Sequence, residues 1–213
     1  MPGVFTVSLD LELYWGVRDS RSFEDYGANL RGERDAIRGI LDLFQAHGIH
    51  ATWATLGFLF FKDIAQLRQQ LPGVLPDYQN QQLSSYRYID ERRWGDDDLY
   101  HFAPDAIEQI LRCPGQEVGT HTFSHYYCLE EGQTIESFRA DLRAAVEVAK
   151  GVGIPTTSLN GSFPYPVSGR LRAAWEASIG APGACCRRCR LRQAIAGHWR
   201  PWACPRVRRF RRC

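Results

Sequence analysis

Between Val4 and Leu13 the chain alternates strictly: Phe5, Val7, Leu9, Leu11 and Leu13 fall on one side, Thr6, Ser8, Asp10 and Glu12 on the other. A period of two is that of a strand with one face turned inward. The pattern therefore predicts a strand that delivers two carboxylates, Asp10 and Glu12, from one face near its end. From Leu30 to His47 the period becomes helical, with Ile37, Ile40, Leu41 and Phe44 as the apolar stripe and Gly48 as the stop. A short strand is predicted over His50 to Thr55 and a helix over Phe58 to Gln70. Residues 72–103 carry Pro, Gln, Tyr and acidic clusters without a period. They read as a long surface insertion, a kind of loop that is often functional. Pro104 opens a helix to about Cys113, and Glu117 to Thr122 is another short strand. Thr134 caps a helix running to Lys150, whose inner face carries Ile135, Phe138, Leu142, Ala145, Val146 and Ala149. Thr156 to Phe163 reads as a further strand. Strands alternating with helices of this length imply parallel βαβ units.

Beyond Pro166 neither period survives, and the charge changes with it. Residues 1–160 hold 14 Lys and Arg against 23 Asp and Glu, a net −9; residues 161–213 hold 12 Arg and one Glu, a net +11. Five of the seven Cys also lie in that second segment. The overall charge of +2 hides this split and names no partner. Two kinds of sequence share the chain: a domain over residues 1–165, and an Arg- and Cys-rich tail over residues 166–213 with the composition of a frameshifted or disordered segment. The tail's Cys186, Cys189, His198 and Cys204 match a zinc-binding spacing only loosely. Its arginines have no periodic structure to present them, which argues against nucleic acid as a partner. Met1 to Asp10 lacks the pattern of a secretory leader, and no apolar run approaches a membrane span, Leu56 to Phe61 being the longest. With Cys113 and Cys128 alone in the acidic part, there is no disulfide framework, and a reducing, cytoplasmic compartment is expected.

Chemistry concentrates in two short segments: Asp10-Leu11-Glu12 and His121-Thr122-Phe123-Ser124-His125. Imidazole and carboxylate together suit zinc and similar divalent ions. Two histidines and one carboxylate leave a coordination position open, and a second carboxylate beside them can act as a general base. Alternation places both acids on one face, so either is sterically able to be the ligand. Both segments sit at carboxyl ends of predicted strands, where parallel α/β folds place their sites. Tyr14, Trp15, Tyr126 and Tyr127 flank the two segments and are read as a stacking platform for a saccharide. Tyr86, Tyr88, Trp94 and Tyr100 either form a further subsite or anchor the insertion. His47, His50 and His101 lack a partner pattern and are read as structural.

The stretches Ser8-Leu9-Asp10-Leu11-Glu12-Leu13-Tyr14-Trp15-Gly16 and Gly119-Thr120-His121-Thr122-Phe123-Ser124-His125 resemble the first two motifs of the polysaccharide deacetylase family, the NodB-homology or carbohydrate esterase 4 group. The likeness extends in pattern over about residues 4–160. It implies a distorted (β/α) barrel and the removal of N- or O-acetyl groups from sugars of a polysaccharide or its precursor, with one divalent ion, usually zinc. Carried over by position, the metal ligands fall on Glu12, His121 and His125 and the catalytic base on Asp10. The late half departs from the family: Ser162-Phe163-Pro164-Tyr165-Pro166 has the Phe-Pro of the third motif without the Arg that follows it, and no late Leu-x-His is present. His198 does not match, the general acid is unassigned, and the C-terminal strands of the barrel are expected to be missing or abnormal. The rival readings are a metal-binding pseudoenzyme that lacks the late motifs and a nucleic-acid binder acting through the tail.

Overall fold

Three parallel strands, β1 (Val7–Leu11), β2 (Ala51–Thr55) and β3 (Gln116–Thr120), form a sheet in that order in a computed structural model that describes residues 5–95 and 98–154. The register sets Leu11, Thr55 and Thr120 level, so the three carboxyl ends finish in one row. Every residue of β2 is buried. A central strand covered on both faces has to satisfy its polar side chains locally. Thr52 accordingly donates to Glu117 Oε2 (3.0 Å), Thr55 to the Trp53 carbonyl (3.2 Å), and the Trp53 indole to Gln116 Oε1 (3.0 Å).

Helix α1 (Phe23–His47) begins about two turns before the predicted start at Leu30. Its first turns face Phe23, Tyr26, Gly27 and Leu30 inward at helical spacing, and their start has a chemical signal. Ser22 accepts the Asp25 N–H (3.3 Å), and Glu24 and Asp25 face the positive end of the helix dipole. The helix predicted over Phe58 to Gln70 is broken. A 3-10 turn, Gly57–Phe60, buries Phe58 and Leu59, the chain extends at Phe61, and Asp63 caps a separate helix α2 (Ile64–Gln69) by accepting the Gln66 N–H (2.8 Å). Consecutive buried residues do not make an amphipathic stripe; they plug the core.

The segment read as a surface insertion is instead part of the core. It contains a 3-10 turn at Gln81–Leu83 and helix α3 (Ser85–Glu91), and it buries Tyr78, Tyr86, Ile89, His101, Phe102 and Ala103. Helices α4 (Pro104–Arg112) and α5 (Ile135–Gly151) lie where the pattern puts them. Thr134 and Ser137 form a reciprocal capping box at the start of α5. One large apolar cluster joins Leu11, Trp15, Trp53, Phe58, Ile107 and Val118; a smaller one joins Tyr126, Cys128, Phe138, Leu142 and Val146. Cys113 and Cys128 are free thiols. No helix among the described residues is long and apolar enough to cross a membrane. The architecture is mixed α/β with a parallel sheet. The predicted strand at Thr156 to Phe163 and the tail over residues 166–213 lie outside the described residues.

Candidate metal centre

Strand β1 is shorter than the alternation from Val4 to Leu13 implies. Phe5 is 90% exposed, and the strand stops at Leu11. Glu12 has already left it (φ −134°, ψ −22°), and Leu13 turns left-handed (φ 51°) into a 3-10 turn, Leu13–Gly16. Glu12 is thus brought to the site by the turn, not by strand alternation with Asp10. Gly16 makes that turn possible. A β-carbon there would overlap the Glu12 carboxylate, so any larger residue would displace it. On the other side of β2, His121 is the first residue beyond β3, and its N–H is held by the Thr55 carbonyl (2.9 Å).

These two exits bring three ligand groups together. His121 Nε2 and His125 Nε2 both approach Glu12 Oε1, the latter at 3.4 Å. One donor atom from each of the three residues lies within 4.8 Å of the others. Burial alone would raise the Glu12 pKa, but hydrogen bonds from His121 and His125 and their charge hold it well below the usual carboxylate range. The set offers two imidazole nitrogens and a carboxylate, three ligands where a tetrahedral zinc takes four, which fits a catalytic zinc. Asp10 sits apart from this triad. Its Oδ1 is 3.8 Å from His121 Nδ1, the nitrogen on the far side of the ring, and its side chain is half exposed.

Asp10 and Glu12 open onto a cleft of about 560 Å³ whose opposite wall is α1. Tyr26, Asn29, Glu33 and Ala36 present one face of that helix, and Ala28 and Gly32 keep it shallow. Glu33 is half-buried there. Burial raises its pKa and Glu12 adds repulsion, against Arg34 and the Leu13 N–H, so the carboxyl is pushed up to about 7. Sequence reasoning missed Glu33. Its only signal is a lone acid on a helix face otherwise made of uncharged residues.

The second motif is a strained loop held from all sides. Thr122 (φ 71°) and His125 (φ 59°) are left-handed; with Leu13 they are the non-glycine residues of positive φ among the described residues. All three lie in the two motifs, at a cost of order 1–3 kcal/mol each. The carbonyls of Thr122 and Phe123 accept the N–H groups of Gly57 (2.9 Å) and Phe58 (3.1 Å). Gly57 is needed for that approach, since a β-carbon would come within 2.8 Å of Phe123 Cα. Ser85 donates to the Ser124 carbonyl (2.7 Å), and the Tyr126 N–H is accepted by Thr122 Oγ1 (2.9 Å). From α5, the fully buried Asp141 accepts from Phe123 and Ser124. Burial pushes its pKa up to about 6, against those hydrogen bonds. Asp141 also escaped the sequence reading, although it is an acid set inside the apolar stripe of α5, between Phe138 and Ala145.

Of the four rings read as a stacking platform, three are committed to the interior. Trp15 has no exposed surface, and its indole donates to the His101 carbonyl (2.8 Å). Tyr14 stacks on Phe23 and donates to the Arg21 carbonyl (2.8 Å); Tyr126 bonds Ser137 and the Thr134 carbonyl. The 3-10 turn after Glu12 swings Tyr14 and Trp15 inward, which strand geometry could not anticipate. Tyr127 stays at the site, its ring edge-on to His125 at 5.0 Å and its hydroxyl on Asp19 (2.9 Å). Tyr86 and Ile89 bury α3 rather than forming a subsite. His101 is structural but not partnerless: Nδ1 meets Asp98 (2.7 Å) and Nε2 meets the Tyr88 hydroxyl (2.9 Å). No family model, curated protein or solved structure matches the chain.

Proposed function

We propose that this protein is a metal-dependent hydrolase that removes the acetyl group from an acetylated amino sugar of a polysaccharide or its cytoplasmic precursor. The observation that carries the reading is the convergence of Glu12, His121 and His125, with Glu12 and the neighbouring Asp10 lining an open cleft. The likeness of the two segments to the deacetylase motifs supplies the substrate class. A divalent ion held by Glu12, His121 and His125, zinc by preference, contributes Lewis acidity that polarises an acyl carbonyl and acidifies water. Glu12 is kept ionised by the imidazoles, as a ligand must be. Asp10 is the base: half exposed on the cleft wall, it takes the proton of the attacking water. Water oxygen bonds to the acyl carbon, the C–N bond breaks as the proton taken by Asp10 passes to the departing nitrogen, and acetic acid and the amine leave, to exchange a proton in solution. Tyr127 offers a ring to the sugar at the rim.

The test is acetate release from N-acetylglucosamine oligosaccharides by the zinc-loaded, EDTA-stripped and zinc-restored full chain. Release that tracks zinc, with Asp10→Asn inactive but still metal-loaded, is expected. A general base is worth roughly 10²–10⁴-fold. Loss of zinc in Asp10→Asn with retention in Glu12→Gln would reverse the roles of the two acids. A zinc-loaded chain that releases no acetate would leave the metal-binding pseudoenzyme as the reading.

A further inference from the structure

The proposed centre depends on a loop whose backbone has no reason of its own to adopt its shape. His121 and His125 are separated by three residues, and the chain between them is neither helix nor strand. Two of its positions, Thr122 and His125 itself, are left-handed without being glycine. Such a loop keeps one conformation only where its surroundings over-determine it. Its carbonyls are held by ordinary partners, the amides of Gly57 and Phe58 and the hydroxyl of Ser85. Its amides are held differently. Phe123 N–H reaches Asp141 Oδ1 (2.7 Å), Ser124 N–H reaches Asp141 Oδ2 (3.1 Å), and the Ser124 hydroxyl reaches the same Oδ2 (2.5 Å). One carboxylate thus collects three donors from the two residues midway between the ligands, and each of its oxygens is used.

The side chain that does this is expensive to place. Asp141 has no exposed surface, and its neighbours on the inner face of α5 are Phe138, Leu142 and Ala145. A carboxylate is buried in such company only where its hydrogen bonds compensate. An apolar residue at 141 would continue the stripe of the helix but leave two backbone N–H groups without an acceptor. The position therefore serves the loop, not the packing of α5.

We propose that Asp141 is a positioning residue for the metal centre, fixing the His121–His125 loop so that both Nε2 atoms converge on Glu12. It bonds neither His121 nor His125 and acts through the backbone of Phe123 and Ser124 and the Ser124 hydroxyl. Asparagine at this position keeps the volume but replaces one acceptor oxygen by an NH₂ group, which faces either an N–H or a hydroxyl donor. Ser124→Ala removes one of the three bonds and leaves the backbone pair intact. The two variants grade the loss.

The inference rests on the metal reading above, and the experiment separates the two. Full chains of the parent, Asp141→Asn, Ser124→Ala and Val146→Ala are stripped with EDTA. Zinc affinity is measured by competition with a chromophoric chelator, and the visible spectrum of the Co²⁺ form is recorded. Val146 is a buried residue on the same helix and controls for loss of stability alone. Partners that orient ligands from outside typically change metal affinity by about 10–100-fold. That range is expected for Asp141→Asn, with a smaller loss for Ser124→Ala, altered Co²⁺ bands in both, and parental affinity in Val146→Ala. Should Asp141→Asn fail to fold, Ser124→Ala carries the test. Parental zinc affinity in Asp141→Asn, or in Ser124→Ala where it stands alone, overturns the proposal, as does an equal loss in Val146→Ala. A parent that binds no zinc overturns the metal reading and this inference together.

Discussion

At the scale of single residues, the centre is made by side chains whose neighbours were chosen to leave room for them. Gly16 is the clearest case, because a β-carbon there would occupy the space of the Glu12 carboxylate. Gly16→Ala should therefore push Glu12 off the two imidazoles and weaken zinc binding by about tenfold or more. An isothermal titration showing parental affinity in that variant would mean Glu12 is not needed where it stands. Glu33 gives a prediction of opposite sign. Its folded-state pKa of about 7 lies above the ordinary carboxylate value of 4.5, so the folded chain holds this proton more tightly than the unfolded one. Below pH 4.5 the residue carries no penalty; between 4.5 and 7 the fold loses stability as pH rises, and above 7 the loss is complete, up to roughly 3 kcal/mol. Glu33→Gln should thus stabilise the metal-free protein against urea at pH 8 and leave it unchanged at pH 4. Equal stability of the two proteins at pH 8 would remove the burial argument. Glu12, His121 and His125 were legible in the sequence because a short motif carries their chemistry in its spacing. Glu33 and Asp141 were not, since each is a single acid whose meaning depends on which distant backbone or cleft faces it.

Elements explain why the two motifs stay in register. The segment between α2 and α4, which hydrophobic periodicity left blank, brackets both. Tyr100 accepts the Tyr14 N–H (3.0 Å), His101 accepts the Trp15 indole (2.8 Å), Ser85 donates to Ser124 (2.7 Å), and Tyr78 accepts the Tyr127 N–H (3.0 Å). None of these contacts has a period, because they are made by turns and single side chains; that is why the segment looked like a surface loop. Long helices were read more easily. The stripe of α5 and its Thr134 cap are plain in the sequence, whereas the first turns of α1, with Gly27 among their inward positions, are not. The keystone of the bracket is His101, which has no exposed surface and stands edge-on to Trp15 at 4.9 Å while bonding Asp98 and Tyr88. Cutting it to alanine opens a cavity and removes one partner of the buried Asp98, leaving Arg92 as its remaining ion pair. His101→Ala should cost about 2–4 kcal/mol in urea unfolding and shift the emission of Trp15 to the red. A loss below about 1 kcal/mol would show that the bracket is decoration.

For the whole molecule, the register of the sheet and the position of the ligands act together. Glu12 leaves β1 and His121 leaves β3, and β2 lies between them. An ion bound to both would therefore tie the first strand to the third across the row formed by Leu11, Thr55 and Thr120. Parallel order and the carboxyl-end location of the site were readable from strand–helix alternation. The break in charge and period near Pro166 was readable too, but what the following residues do lies outside the described structure. Binding that bridges separate parts of the chain requires the folded state, so it stabilises by mass action. At a free zinc concentration near 100 times Kd the gain is about 2.7 kcal/mol. In a domain of this size each kcal/mol moves the midpoint of thermal unfolding by roughly 2–4 °C, so zinc should raise it by about 5–10 °C. Excess EDTA should return it to the starting value. The double variant His121→Ala, His125→Ala should show no shift, because it keeps the fold's apolar contacts but not the donors. Scanning calorimetry of both proteins with and without zinc decides the matter: a shift of the same size in the double variant would place the ion elsewhere on the chain, and no shift in the parent would mean that the three convergent groups do not hold one.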